Sequence, residues 1–200
     1  MRIIQGFIMA IGIIGIVVIL ALLTGYYLYS LSPQIQGKIT PVAVSADAAQ
    51  SLEQKLDALD TQIKEAVQAG EKRKLSLVIT EQEINSKLVQ MIAEGQLPLK
   101  RILINFGDGY FLTYAVIDMP GIDAKTGSIG RVEVADGKPK VVITEFNLGK
   151  LPLPESAKGR VEQLVNILMS LQLSDFPIDI TYVEFNDHQL TVTGTTRTGN

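Results

Sequence analysis

Two regimes of hydrophobic pattern divide the chain. From Ile3 to Gln36 no side chain is charged, and Phe7–Leu23 is almost wholly Ile, Val, Leu, Ala, Gly and Met. A bilayer core of about 30 Å is crossed by about 20 apolar residues in a helix, and this run supplies them. Tyr26, Tyr27 and Tyr29 close it, where aromatic rings suit the headgroup layer. After Gln36 the pattern becomes that of an amphipathic chain with one core. The expected organisation is a transmembrane signal-anchor over residues 1–31, a juxtamembrane linker over 32–45 and an α+β domain over 46–200.

Within that domain the periods alternate. Asp47 can cap a helix running to about Ala69, with Gly70 as its stop. Its apolar positions Leu52, Leu56, Leu59, Ile63 and Ala66/Val67 form one stripe, expected to dock on the domain rather than to coil with a second copy. Lys74–Ile79 is a short strand feeding into Thr80-Glu81-Gln82-Glu83, a capping box. The helix it opens shows Ile84, Leu88 and Met91/Ile92 on one face and closes at Gly95.

After Pro98 the period changes to two. Leu99–Phe106 and Tyr110–Met119 flank Gly107-Asp108-Gly109, Pro120–Thr126 is a loop, and Ser128–Ala135 and Lys140–Leu148 flank Asp136-Gly137-Lys138-Pro139. Leu151-Pro152-Leu153-Pro154 leads into a helix over about Glu155–Leu171, striped by Val161, Leu164/Val165 and Leu168. A last hairpin, Ile178–Phe185 and Gln189–Thr195, turns at Asn186-Asp187-His188. The order predicts a mainly antiparallel sheet packed on amphipathic helices.

The first hairpin departs from simple alternation. Ile102, Ile104 and Phe106 share one side of their strand, while Leu99 and Leu103 lie on the other. In the partner strand Tyr110, Leu112, Tyr114 and Val116 alternate with the equally apolar Phe111, Ala115, Ile117 and Met119. A hairpin apolar on both sides needs cover on both, either from helices or from a ligand lying in an apolar groove. The expected groove lining is Ile102, Ile104, Phe106, Leu112, Tyr114 and Val116, with Leu168 or Met169 opposite.

Charge and composition narrow the function. The chain carries 18 basic and 21 acidic residues, and Arg2 is the sole charge in the first 31. A mildly acidic domain argues against nucleic acid, which wants a clustered basic face. Arg2 before the apolar run, with only Lys38 soon after it, favours a cytoplasmic amino terminus and an extracytoplasmic domain. The run is longer than the roughly 7–15 residues of a cleaved signal core, and the cleavage-like Val44-Ser45-Ala46 lies far beyond it. Gly12, Gly15 and the pair Ala21/Gly25 would let two anchors pack closely. Cysteine is absent, which removes disulfides, thiolate metal sites and cysteine catalysis.

Catalytic signatures are missing. There is no G-x-S-x-G elbow, phosphate-cradling glycine loop, H-E-x-x-H or calcium-loop spacing, so neither a metal nor another cofactor is expected. The single histidine, His188, sits in a turn and is expected to be exposed. Asp118, Glu133, Glu145, Asp179 and Glu184 lie in or beside strands, where a meeting pair would make an acid/base site. Lys72-Arg73-Lys74 and Lys100-Arg101 are the compact basic clusters and the candidates for anionic headgroups.

Three passages together resemble a known group. Thr80-Glu81-Gln82-Glu83-Ile84-Asn85 resembles a T-E-x-E-[IL]-N helix start. Gly149-Lys150-Leu151-Pro152-Leu153-Pro154 is similar to a G-x-L-P-L-P turn, and Leu190-Thr191-Val192-Thr193-Gly194 to a closing strand. Their order resembles that in bacterial envelope proteins of the tubular lipid-binding type, such as the YpmS-like membrane-anchored and LmeA-like phospholipid-binding proteins. The resemblance covers about Leu77 to Thr195. It implies a curved sheet wrapped on a long helix, with a groove for acyl chains and no catalytic residues. The expected function is a membrane-tethered, non-enzymatic domain binding phospholipid or another amphiphile in the cell envelope. The alternative is a scaffolding subunit that binds an envelope protein, or a second copy, through the Asp47–Ala69 helix or a sheet edge.

Overall fold

The computed structural model describes residues 32–97, 99–119, 122–149, 151–152, 159, 162–163, 166 and 177–197. The expected anchor over 1–31 lies outside the described residues. So does most of the expected helix over 155–171, Leu168 and Met169 included. Among the described residues no helix is long and apolar enough to cross a membrane.

Helix α1 (Ala46–Ala69) starts at Ser45, whose hydroxyl accepts from the Ala48 amide. Asp47, expected as the cap, instead sits in the first turn, where its charge complements the helix dipole. Gly70 ends the helix with φ 67°, a left-handed backbone that glycine adopts without steric cost. Of the expected stripe Leu52, Leu56, Ile63 and Ala66 are buried, joined by Ala49, against the next helix and strand, while Leu59 is half-buried and Val67 exposed. Each buried Leu or Ile contributes about 1.5–3 kcal/mol, so the helix is part of the core.

Strand β1 (Lys74–Thr80) runs directly into helix α2 (Glu81–Ala93) through the full capping box, with Thr80 accepting from the Glu83 amide and Glu83 from that of Thr80. Then come β2 (Leu99–Gly107), β3 (Tyr110–Met119), β4 (Ile122–Ala135), β5 (Lys138–Leu148), β6 (Leu151–Pro152), β7 (Ile178–Asn186) and β8 (Gln189–Thr196). Gly159, Glu162, Gln163 and Asn166 are helical.

The strands form two antiparallel sheets where the sequence suggested one. The larger has the order β2-β3-β4-β5-β6 and the smaller β1-β8-β7. β1 pairs with β8 along its whole length, from Lys74 opposite Thr195 to Thr80 opposite Gln189. The smaller sheet crosses the end of the larger one that carries the β2–β3 and β4–β5 turns. There Ile180 donates to the Gly137 carbonyl at 2.8 Å and Gly109 to that of Phe185 at 2.8 Å.

One segment was misread. Residues 122–126, expected as loop, continue β4, with Ala124 opposite Ile117 and Thr126 opposite Ala115. Their small and polar side chains score poorly as strand, yet their backbones are fully paired.

Candidate functional site

The β2–β3 register decides the fate of the expected groove. Ile102, Ile104 and Phe106 stand opposite Ala115, Thr113 and Phe111, whereas Leu112, Tyr114 and Val116 stand opposite Asn105, Leu103 and Arg101. Cross-strand partners share a face, so the sheet separates the six into two groups of three on opposite sides. No single groove is lined by all of them.

The outer face is covered by the chain itself. Within the expected linker over 32–45, residues 32–44 form a strap, with a 3-10 turn at Gln34–Lys38 packed on β3 and β4. Pro33 and Ile35 are buried, and Ile35 occupies the space over Gly127, the residue opposite Tyr114. At the start of the strap Lys125 donates to the Ser32 hydroxyl at 3.3 Å. Further along, Asn105 accepts from the Thr40 amide at 2.8 Å and donates to its carbonyl at 3.1 Å. Leu112, Tyr114 and Val116 are buried on this face. Burial also pushes the Tyr114 hydroxyl above its ordinary pKa.

The inner face is different in composition. Along its middle run Thr113 and Ala115 of β3 and Ala124, Thr126, Ser128 and Gly130 of β4, all buried. Large side chains flank this strip: Ile102, Ile104 and Phe106 from β2, and Val141, Ile143, Phe146 and Leu148 from β5. A β-bulge between Ile129 and Gly130 keeps both Ile143 and Phe146 on this face. The strip of small side chains between large ones is a trough in the profile of the sheet face, and its apolar residues belong to the same buried core as Leu52 of α1 and Ile84 and Leu88 of α2. Phe106, Phe111 and Phe185 pack together at one end, with ring centroids 5.3 and 5.7 Å apart. In the floor the Thr113 hydroxyl is buried without a hydrogen-bond partner.

Both edges of the trough are held the same way. On α2, Asn85 donates to the Ile104 carbonyl at 2.7 Å and accepts from its amide at 2.9 Å, while Glu81 accepts from the Phe106 amide. On the helical turn 162–166, Asn166 donates to the Val141 carbonyl at 2.9 Å and accepts from its amide at 2.7 Å, while Glu162 accepts from that of Ile143. The two helices carry Glu81-Gln82-Glu83-Ile84-Asn85 and Glu162-Gln163-Leu164-Val165-Asn166. This repeated E-Q-x-[IV]-N was the available sequence signal for the device. It places the carboxylate and the amide one helical turn apart, facing alternate residues of an edge strand.

The charged candidates do not converge. Arg73 is paired with Glu65 and Glu71 beyond the C-terminus of α1, and Lys100 with Asp123 at 2.6 Å where β2 begins. Lys74 begins β1 of the smaller sheet and Lys100 and Arg101 begin β2 of the larger, so the two clusters belong to different sheets. Among the carboxylates, Glu133 pairs with Arg131 and Asp179 with Arg197, Glu145 faces Ile129, and Glu184 faces Thr191. The Asp118 side chain lies outside the described residues, and no two of the other four meet. Among the described residues no group of His, Asp and Glu is placed to hold a metal.

His188 is exposed, as expected, yet its Nδ1 lies 3.0 Å from Glu81 Oε1. That hydrogen bond, with the charges of Glu81, Asp187 and Asp108, raises its pKa above the ordinary value. Burial pushes the Glu83 carboxyl up, but hydrogen bonds from Lys55, Thr80 and Ser51 and the Lys55 charge outweigh it and hold the group below its ordinary range. A surface cleft of about 540 Å³ lies between the start of α1 and α2, bounded by Val44, Ala49, Glu53, Ser86 and Val89. It contains none of the expected groove residues. No family model matches the chain, and no curated protein is significantly similar to it.

Proposed function

We propose that the chain is a membrane-tethered, non-enzymatic domain that takes up phospholipid or another amphiphile at the outer face of the cytoplasmic membrane. The trough carries this reading. A floor of Ala115, Ala124, Thr126, Ser128 and Gly130 between walls of Ile, Val, Leu and Phe would give an acyl chain an apolar surface to lie along if the core opened there. The unpartnered Thr113 hydroxyl is a polar group to which a bound molecule would bond. The uncharged run over residues 3–36 supplies the tether, and the resemblance to tubular lipid-binding proteins is in keeping with both. Of the surfaces a scaffolding role was expected to use, most of the α1 stripe is buried, and Asn85 and Asn166 cap Ile104 of β2 and Val141 of β5.

The test compares the full chain with Ser128→Phe, which fills the floor, by native mass spectrometry and lipid extraction after a detergent wash. Lipid around the anchor is common to both proteins. The wild type is expected to retain one more phospholipid than the variant, with both folded by circular dichroism. Equal lipid content in the two folded proteins would overturn the reading.

A further inference from the structure

We propose that the end of the larger sheet where β2 and β4 begin rests directly on the membrane surface, with Lys100, Arg101 and Lys125 against anionic headgroups. This rests on the anchor reading above. The first observation is the strap. Ser32 immediately follows the apolar segment, and it is bonded to Lys125, with Pro33 and Ile35 buried just after it. A chain reaches at most about 3.3–3.6 Å per residue, so the anchor reading keeps this end of the sheet near the bilayer, and charge decides whether it rests on it. The residues 32–44, expected to work as a spacer, are spent crossing the outer face.

The second observation is the placement of charge. Arg101, Val116 and Lys125 form one row across β2, β3 and β4 on the outer face, with Lys100 beside Arg101. Asp123 pairs with Lys100 at the same end and Asp118 stands opposite Asp123, which leaves that end one positive charge in excess. The opposite end bears three hairpin turns, and each carries an aspartate: Asp108, Asp136 and Asp187, with Lys138 after the second. That distribution orients the domain, since an anionic surface attracts the basic end and repels the acidic one. The occupant is therefore a bilayer surface and not a protein partner.

The lack of cysteine makes the test direct. The full chain carrying Gln96→Cys or Asp187→Cys is labelled with a fluorophore and reconstituted in phosphatidylcholine vesicles with or without phosphatidylglycerol, with nitroxide headgroup lipid as quencher. Strong quenching at position 96 and little at 187 is expected when the vesicles are anionic. Lys125→Gln should lower the ratio of surface-bound to free domain read at position 96 by about fivefold, since one basic residue near the surface contributes on the order of 1 kcal/mol. Equal quenching at the two positions, or quenching unchanged in neutral vesicles, would overturn the proposal while leaving the tether intact. Protein that fails to float with vesicles would overturn the tether, and the proposal with it.

Discussion

Asn85 bonds both the amide and the carbonyl of Ile104, as a neighbouring strand would. It is fully buried in α2, and its amide also donates to the Glu81 carbonyl at 2.7 Å. Asn105 treats Thr40 in the same way, and Asn166 treats Val141. An edge strand presents unpaired backbone groups that invite a foreign strand, and here the primary amide satisfies them. The strap, α2 and the turn bearing Asn166 are thereby fixed to the larger sheet by paired polar contacts.

Replacing Asn85 with Asp keeps the volume but sets a carboxylate against the Ile104 carbonyl. The expected loss is about 2–4 kcal/mol, since a buried acceptor loses its donor and a second acceptor faces it. Asn85→Leu should cost about as much by leaving both Ile104 groups unsatisfied. Urea denaturation at neutral pH measures both. A change under 0.5 kcal/mol, within the range of ordinary surface substitutions, would refute the bond's importance (roughly that threshold).

Much of this architecture was legible from periodicity. The capping box, the α1 stripe, the glycine stops and seven of the strand positions follow from spacing and turn chemistry alone. What escaped depended on tertiary context. The Ala124-Lys125-Thr126-Gly127-Ser128 stretch has Thr126 as its one β-branched residue and no aromatic, because its inner side chains are small and Gly127 makes room for Ile35. The two faces of the hairpin were visible, but which residues shared a face across strands required the register, which one residue of slip would invert. Ile35 gave no signal because a single apolar residue between Gln34 and Gln36 has no period.

The strap depends on that missing side chain. A Cβ at Gly127 would lie 3.0 Å from Ile35 Cβ and 3.3 Å from its Cδ1. Gly127→Val should therefore push Ile35 off the sheet, with a loss of about 1–3 kcal/mol from overpacking. Limited proteolysis reads the result: cleavage within residues 32–44 should accelerate in the variant and stay slow in the wild type. Unchanged cleavage would mean that the strap is held by Asn105 and Lys125 alone.

Two ion pairs set opposite limits on stability with pH. His188 has its pKa raised above the ordinary 6.5, so its contribution is complete below that value and is lost as pH rises through the raised pKa. Glu83 has its pKa lowered from 4.5, so its contribution is complete above that value and is lost as pH falls through the lowered pKa. Denaturation midpoints across pH should show both limbs. His188→Gln should flatten the upper limb, and Glu83→Gln the lower one. A His188→Gln profile that still declines above neutral pH in step with the wild type would sink the assignment of that limb to the Glu81 pair.

Thr113 tests what the trough is for. Its hydroxyl is buried among Ala115, Thr126 and Ser128 with no partner, and an unsatisfied buried polar group costs about 1–3 kcal/mol. A side chain kept only for packing would be better as valine, which has the same shape and nothing to satisfy. Thr113→Val is thus expected to stabilise the lipid-free protein, by roughly 1 kcal/mol in urea denaturation. If the hydroxyl serves a bound amphiphile, the same variant should hold phospholipid less tightly, so the gain in stability shrinks when lipid is supplied. A gain that is identical with and without lipid would show that Thr113 does not touch the ligand. A loss of stability in the lipid-free state would show instead that the hydroxyl is already satisfied there, for example by a bound water.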